Sequence, residues 1–161
     1  MEIISDGRRE YSKTIGDKTE ALFMVACNKI GYKCIKTDKK VDIYDHIDFY
    51  VERPNGVTSV DVKGKNKIDS IWVEFKNVHG NDGWLYGKSQ YIAFDMPELN
   101  GFVMVGRVEL KNKCEEIIER VFVSKNEAIR KLYTRFGRMD VIAQIFLEDI
   151  SDLKSYKVIN Y

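Results

Sequence analysis

The chain switches between two periodicities of apolar and polar positions, and each switch marks an element. From Lys18 to Lys29, "KTEALFMVACNK", apolar residues cover most of a helical circumference, which predicts a largely buried helix. Asp17 and Glu20 fit a capping box at its start, and Gly31 fits a stop just past its end. Period-two alternation then predicts strands at Tyr32–Lys36, Ile47–Glu52, Val57–Lys63 and Ile71–Asn77. Pro54-Asn55-Gly56 closes the second and third of these into a hairpin. A glycine-rich connection, "NVHGNDGWLYGKSQ", leads to strands at Tyr91–Phe94 and Phe102–Leu110. The last third predicts a short helix near Cys114–Ile118, a strand at Arg120–Val123, a helix from Lys125 to Phe136 and a strand at Asp140–Asp149. This order predicts one α/β or α+β domain over residues 1–161, with a mixed sheet and an early helix packed on it.

The same alternation assigns charges to faces. Ile47, Phe49 and Val51 share one face of their strand, so Asp48 points to the other; Val60 and Val62 oppose Ser59, Asp61 and Lys63. In the next strand Ile71, Val73 and Phe75 oppose Trp72, Glu74 and Lys76. Strand interiors disfavour Asp, and a charge there requires a partner, water or a metal. If neighbouring strands align, two or three carboxylates and a lysine meet on one side of the sheet. Hard oxygen ligands of this kind suit Mg²⁺ or Mn²⁺. A cation so held makes water a better nucleophile and steadies a phosphodiester under attack, while a lysine alongside orients that water or neutralises the transition state. The expected metal ligands are Asp48 and Asp61, and the expected catalytic set is Asp48, Asp61, Lys63 and Glu74.

Composition narrows the partners. A hydrophobic share of 44% in 161 residues excludes disorder and is enough for a single core. With 26 basic against 25 acidic residues, a net charge of +1, any surface for nucleic acid has to be local. Lys65, Lys67, Lys88, Arg135 and Arg138 are the expected phosphate contacts, with Arg138 held by Asp140 in "GRMD". Cys27, Cys34 and Cys114 are odd in number and form no CxxC, a pattern that fits reduced thiols. The N-terminus "MEIISDGRREYSK" has no apolar h-region, and no apolar run approaches the ~20 residues of a membrane span. A cytoplasmic protein without a membrane partner is the expectation. His46 is expected at a strand end and His79 in the glycine-rich connection, where Trp84 and Tyr86 either plug the core or stack on bases.

Taken together, Glu20 on the early helix, Asp48 in "HIDF" and the triplet Asp61-Val62-Lys63 after a tight hairpin resemble the PD-(D/E)xK nuclease superfamily over roughly residues 17–95. The resemblance implies a restriction-endonuclease-like αβββαβ core with C-terminal additions, Mg²⁺-dependent hydrolysis of DNA, and an accessory place for Glu20 near the metal. More narrowly, "VDVKG", "WVEFKNVHGNDGWLYGKSQYIAF" and "RFGRMD" look like small phage and bacterial endonuclease-like proteins, which implies a host-cell cytoplasm if the chain is phage-encoded. No Pro precedes Asp48, and Asp stands where the family triplet more often has Glu. Cutting both strands needs two sites, so a homodimer fits the reading. A second register also matches the motif, taking Asp61 with Glu74-Phe75-Lys76. The hairpin favours the first, because it makes the strands of Asp48 and Asp61 direct neighbours. Glu74 is then an accessory ligand or water-orienting group, and Lys76 a phosphate contact. Two other functions stay open on the same residues: a nuclease fold that binds nucleic acid without turnover, and an interaction protein whose carboxylates form surface ion pairs.

Overall fold

The computed structural model describes the backbone of residues 2–64, 66–67 and 69–161, and side chains from residue 16 onward; Lys65 therefore lies outside the described residues. The chain opens with helix α1 (Glu2–Lys29), which ends where Gly31 adopts a φ of +77° that glycine accepts without strain. The helix starts well before Lys18, since no proline interrupts the polar lead. Asp17 is thus inside the helix and caps nothing, and Glu20 pairs instead with Lys36 at 2.6 Å.

After α1 come β1 (Lys33–Lys36), α2 (Lys39–Asp45), β2 (Phe49–Arg53), β3 (Gly56–Lys63) and β4 (Ser70–Lys76). They are followed by β5 (Tyr91–Met96), β6 (Gly101–Gly106), α3 (Arg107–Ile117), β7 (Glu119–Phe122), β8 (Lys131–Leu132), β9 (Val141–Phe146) and β10 (Lys157–Asn160). The architecture is α+β around a mixed six-stranded sheet in the order β1-β2-β3-β5-β6-β10. Within that sheet only β3 and β5 pair in parallel. The hairpin forms as the turn residues predict, with Arg53 opposite Gly56. β4 leaves this sheet and pairs with β9 in a separate two-stranded ribbon.

Both faces of the sheet are covered. On one, Phe23, Ala26 and Cys27 of α1 pack on Phe49, Val51, Val60, Ala93 and Phe102, with the Phe23 ring 5.4 Å from those of Phe49 and Phe102. On the other, Ile92, Phe94, Val103 and Val105 meet Ile71, Val73 and Ile145 of the ribbon, Trp84 and Leu85 of a 3₁₀ turn, and Leu110 and Cys114 of α3. Each Val, Leu, Ile or Phe among them, fully buried, contributes roughly 1.5–3 kcal/mol against entropy. No helix among the described residues is long and apolar enough to cross a membrane.

The C-terminal third departs most from its local pattern. Residues 125–136 form no long helix: a 3₁₀ turn at Lys125–Glu127 is followed by Arg130 at φ +55° and by β8. Pairing with β9 overrides helix propensity here, since Arg130 N–H donates to the Gln144 carbonyl at 2.8 Å and Tyr133 bridges Ile142. The Arg130 guanidinium also grips Asp149, at 2.6 Å. The strand expected through Leu110 stops at Gly106, where α3 begins.

Candidate functional site

Asp48 is fixed by backbone geometry on both sides. Helix α2, capped by Asp38 accepting from Val41 N–H, ends at His46 in the left-handed region, φ 54°, which turns the chain into β2. The Asp48 N–H then donates to Val60 O at 2.9 Å, and its carbonyl accepts from Thr37 N–H at 3.0 Å, so the residue is clamped between neighbouring strands. The antiparallel register pairs Phe49 with Val60, and one step further along it brings Asp48 level with Asp61. The Asp48 Oδ2 accepts from Val62 N–H at 2.7 Å.

Asp61 and Lys63 stand side by side on that face, as alternation requires. Asp61 is only 3% exposed, and its Oδ1 lies 3.1 Å from Lys63 Nζ. Its Oδ2 is buried and meets no N–H or O–H donor among the described residues. Lys63 is steadied by the Trp84 ring, with Nζ 5.1 Å from the centroid. Asp48 is 6% exposed. Neither carboxylate lies on a solvated face.

Two more carboxylates close the cluster. Asp42 of α2 hydrogen-bonds to Asp48, and Glu20 of α1, Asp42 and Asp48 each offer an oxygen within 4.8 Å of the others, a group that could hold a metal ion. Burial, then the charge of Asp61, pushes the Asp48 carboxyl up to about 6. Burial and the hydrogen bond to Asp48 push Asp42 up to about 6 as well. Asp61 is also raised, its burial outweighing the opposing pull of Lys63. Closely spaced buried carboxyls of this kind can be relieved only by a shared proton or a cation. Burial and the Lys63 ammonium hold the His46 imidazole below its ordinary value. The glycine-rich connection comes close enough that a Cβ on Gly87 would stand 3.1 Å from the His46 Cβ.

The other expected site residues fall elsewhere. Glu74 is on the β4–β9 ribbon, outside the Glu20, Asp42 and Asp48 group, though its charge still acts on His46, which also feels Lys63. Its Oε1 accepts from Trp84 N–H at 3.4 Å. Trp84 is a buried core residue. Lys67 and Lys76 are exposed, and Lys88, also exposed, pairs with Asp45 at 3.2 Å. Asp140, wholly buried, binds the Nε and backbone N–H of Arg135, not Arg138, which is exposed. Pattern reading misses Asp42 and Lys36. The one local signal for α2 is Asp38 placed to cap Val41 in "TDKKVD".

In comparisons with known proteins, no family model, no curated protein and no solved structure matches the chain.

Proposed function

We propose that this protein is a divalent-cation-dependent nuclease that hydrolyses phosphodiester bonds in DNA, in the manner of the PD-(D/E)xK superfamily it resembles. The observation that carries the reading is the opposed pair Asp48 and Asp61, with the Lys63 amine 3.1 Å from Asp61 and one Asp61 oxygen buried without a donor among the described residues. Glu20, Asp42 and Asp48 would hold Mg²⁺ or Mn²⁺, with Asp61 opposite Asp48 as a further proposed ligand, since an all-carboxylate donor set suits a hard cation. When bound, such a cation activates water and offsets charge on the phosphate.

The chain's own groups do the positioning. Lys63, ion-paired on one side and resting on Trp84, keeps its ammonium in place without searching rotamers. It has three donors, and those not used by Asp61 can bind the phosphate oxygens as negative charge builds. Lys36, paired with Glu20 at 2.6 Å, orients that carboxylate toward the cluster. Exposed Lys67, Lys76, Lys88 and Arg138 are the proposed backbone contacts to DNA. Each copy of the chain carries one such cluster, so double-strand cutting would use two copies. The run from α1 through the antiparallel β1-β2-β3 meander to the parallel β5 supports a restriction-endonuclease-like core. The chain departs from the αβββαβ order by placing β4 and a 3₁₀ turn where a helix is expected before β5.

The test is cleavage of supercoiled, linear, single-stranded and branched DNA in Mg²⁺, Mn²⁺ and EDTA, by wild type and Lys63→Ala. Cation-dependent cutting that vanishes in Lys63→Ala while the fold and cation binding persist is the expected result. A wild type that binds cation and DNA but cuts nothing would be a binding protein on this scaffold.

A further inference from the structure

The outward face of the β4–β9 ribbon is neither covered nor simply polar. Ile71, Val73 and Phe75 turn toward the core, so Trp72 and Glu74 project the other way, into a cleft of about 330 Å³. That size is at the low end of small-ligand sites, about 300–1,000 Å³. Trp72 and Tyr133 form an aromatic wall, centroids 6.2 Å apart and planes at 51°, both rings half-buried. The cleft also touches Trp84, the indole on which Lys63 rests, so it adjoins the carboxylate cluster. Two cations line it, Lys125 and Arg135. Because buried Asp140 engages Arg135 through Nε, the terminal amines of that guanidinium have no acceptor among the described residues. Glu74 places one oxygen on Trp84 N–H at 3.4 Å, and its second oxygen has no donor among the described residues.

Resting on the nuclease reading, we propose that this cleft takes an unpaired nucleobase of the DNA strand beside the cut phosphate, and favours a base with an exocyclic amino group, cytosine foremost. Aromatic side chains stack on the π-face of any base. A base inside a duplex hides both faces and its pairing edge, so only an unpaired or extruded one can enter. Glu74 can accept from the cytosine N4 amine, whereas thymine offers a carbonyl at the same position and is repelled. Lys125 and Arg135 supply the charge for the flanking phosphates.

The test measures binding in EDTA to labelled single strands of about ten nucleotides: oligo-dC, oligo-dT and an abasic strand of equal length. Anisotropy and tryptophan emission are both read. Wild type should bind oligo-dC about tenfold more tightly than the abasic strand and quench on binding. Trp72→Leu and Tyr133→Leu should erase that advantage, Trp72→Phe should keep it and so guard against misfolding, and Glu74→Gln should erase only the preference for dC over dT. Equal affinity for all three strands, an advantage that survives Tyr133→Leu, or no binding to any strand overturns the proposal. A wild type that cuts DNA without a base advantage sinks the cleft and leaves the nuclease reading. One that shows the advantage yet never cuts supports the cleft and sinks the nuclease reading.

Discussion

Replacing Asp48 by Asn should make the metal-free protein more stable, although it removes a residue of the proposed site. Burial and the neighbouring Asp61 push the Asp48 carboxyl up to about 6, above the ordinary carboxylate value of 3.8. A carboxyl raised on folding costs nothing below its unfolded value; the penalty grows as pH rises and is complete above the folded value. That difference corresponds to about 3 kcal/mol near pH 7.5 and about 0.5 kcal/mol near pH 4. Asparagine keeps an oxygen for the Val62 N–H and supplies an amide donor to the Asp61 oxygen that lacks one. Desolvating the amide offsets part of the gain, leaving about 1–3 kcal/mol at the higher pH. Urea unfolding in EDTA reads this directly, because a slope of about 2 kcal/mol per molar turns 2 kcal/mol into about 1 M of midpoint. The Asn variant should gain that much near pH 7.5 and almost nothing near pH 4. A midpoint that falls at the higher pH, or rises equally at both, would show that Asp48 is not under carboxylate repulsion, and the electrostatic account of the cluster would fail.

Other outcomes follow from the same geometry. Mg²⁺ or Mn²⁺ at ten times its Kd should stabilise wild type by about 1.4 kcal/mol, or about 3–6 °C in Tm, and Asp42→Asn should cut the shift; a thermal scan with no cation effect in wild type removes the metal site. Exposed Lys67, Lys76 and Lys88 should each tolerate Ala within about 0.5 kcal/mol of stability, while removing a lysine that grips a DNA phosphate should lower the salt slope of binding by about one; an unchanged slope excludes that lysine from the interface. Asp140→Ala should cost about 2 kcal/mol, because it strips two donors of Arg135 of a buried acceptor, whereas Arg138→Ala should be nearly neutral in the same unfolding assay. Equal losses would mean that Arg138 shares the ion pair.

The local pattern of the chain determines how Asp48, Asp61 and Lys63 are presented. Alternation is a property of single strands, and a Pro-Asn-Gly turn fixes which two strands are neighbours, so the opposed carboxylates and the adjacent lysine can be read from about thirty residues. The same holds for the stop of α1 at Gly31, which depends on the backbone freedom of glycine, but not for the expected burial of most of that helix: between Lys18 and Lys29 only Thr19, Phe23, Ala26 and Cys27 are buried, and Met24 and Val25 stand exposed because the sheet covers a single side of α1. The basic residues follow no such rule, because a phosphate contact leaves no period behind.

What only the tertiary structure decides is which elements share a layer. Seven-residue α2 buries no side chain, so no apolar stripe announces it, yet its left-handed exit at His46 is what brings Asp42 against Asp48. Glu20 reaches the cluster because α1 crosses the sheet, a contact between residues far apart in sequence. Glu74 carries the same alternation as Asp61 but sits on the other ribbon, since nothing in a strand's own sequence says which edge it will join. In the last third, helix-forming residues lie along β9 instead, because backbone hydrogen bonds to an existing strand and the Arg130–Asp149 pair outweigh a propensity worth only tenths of a kcal/mol per residue.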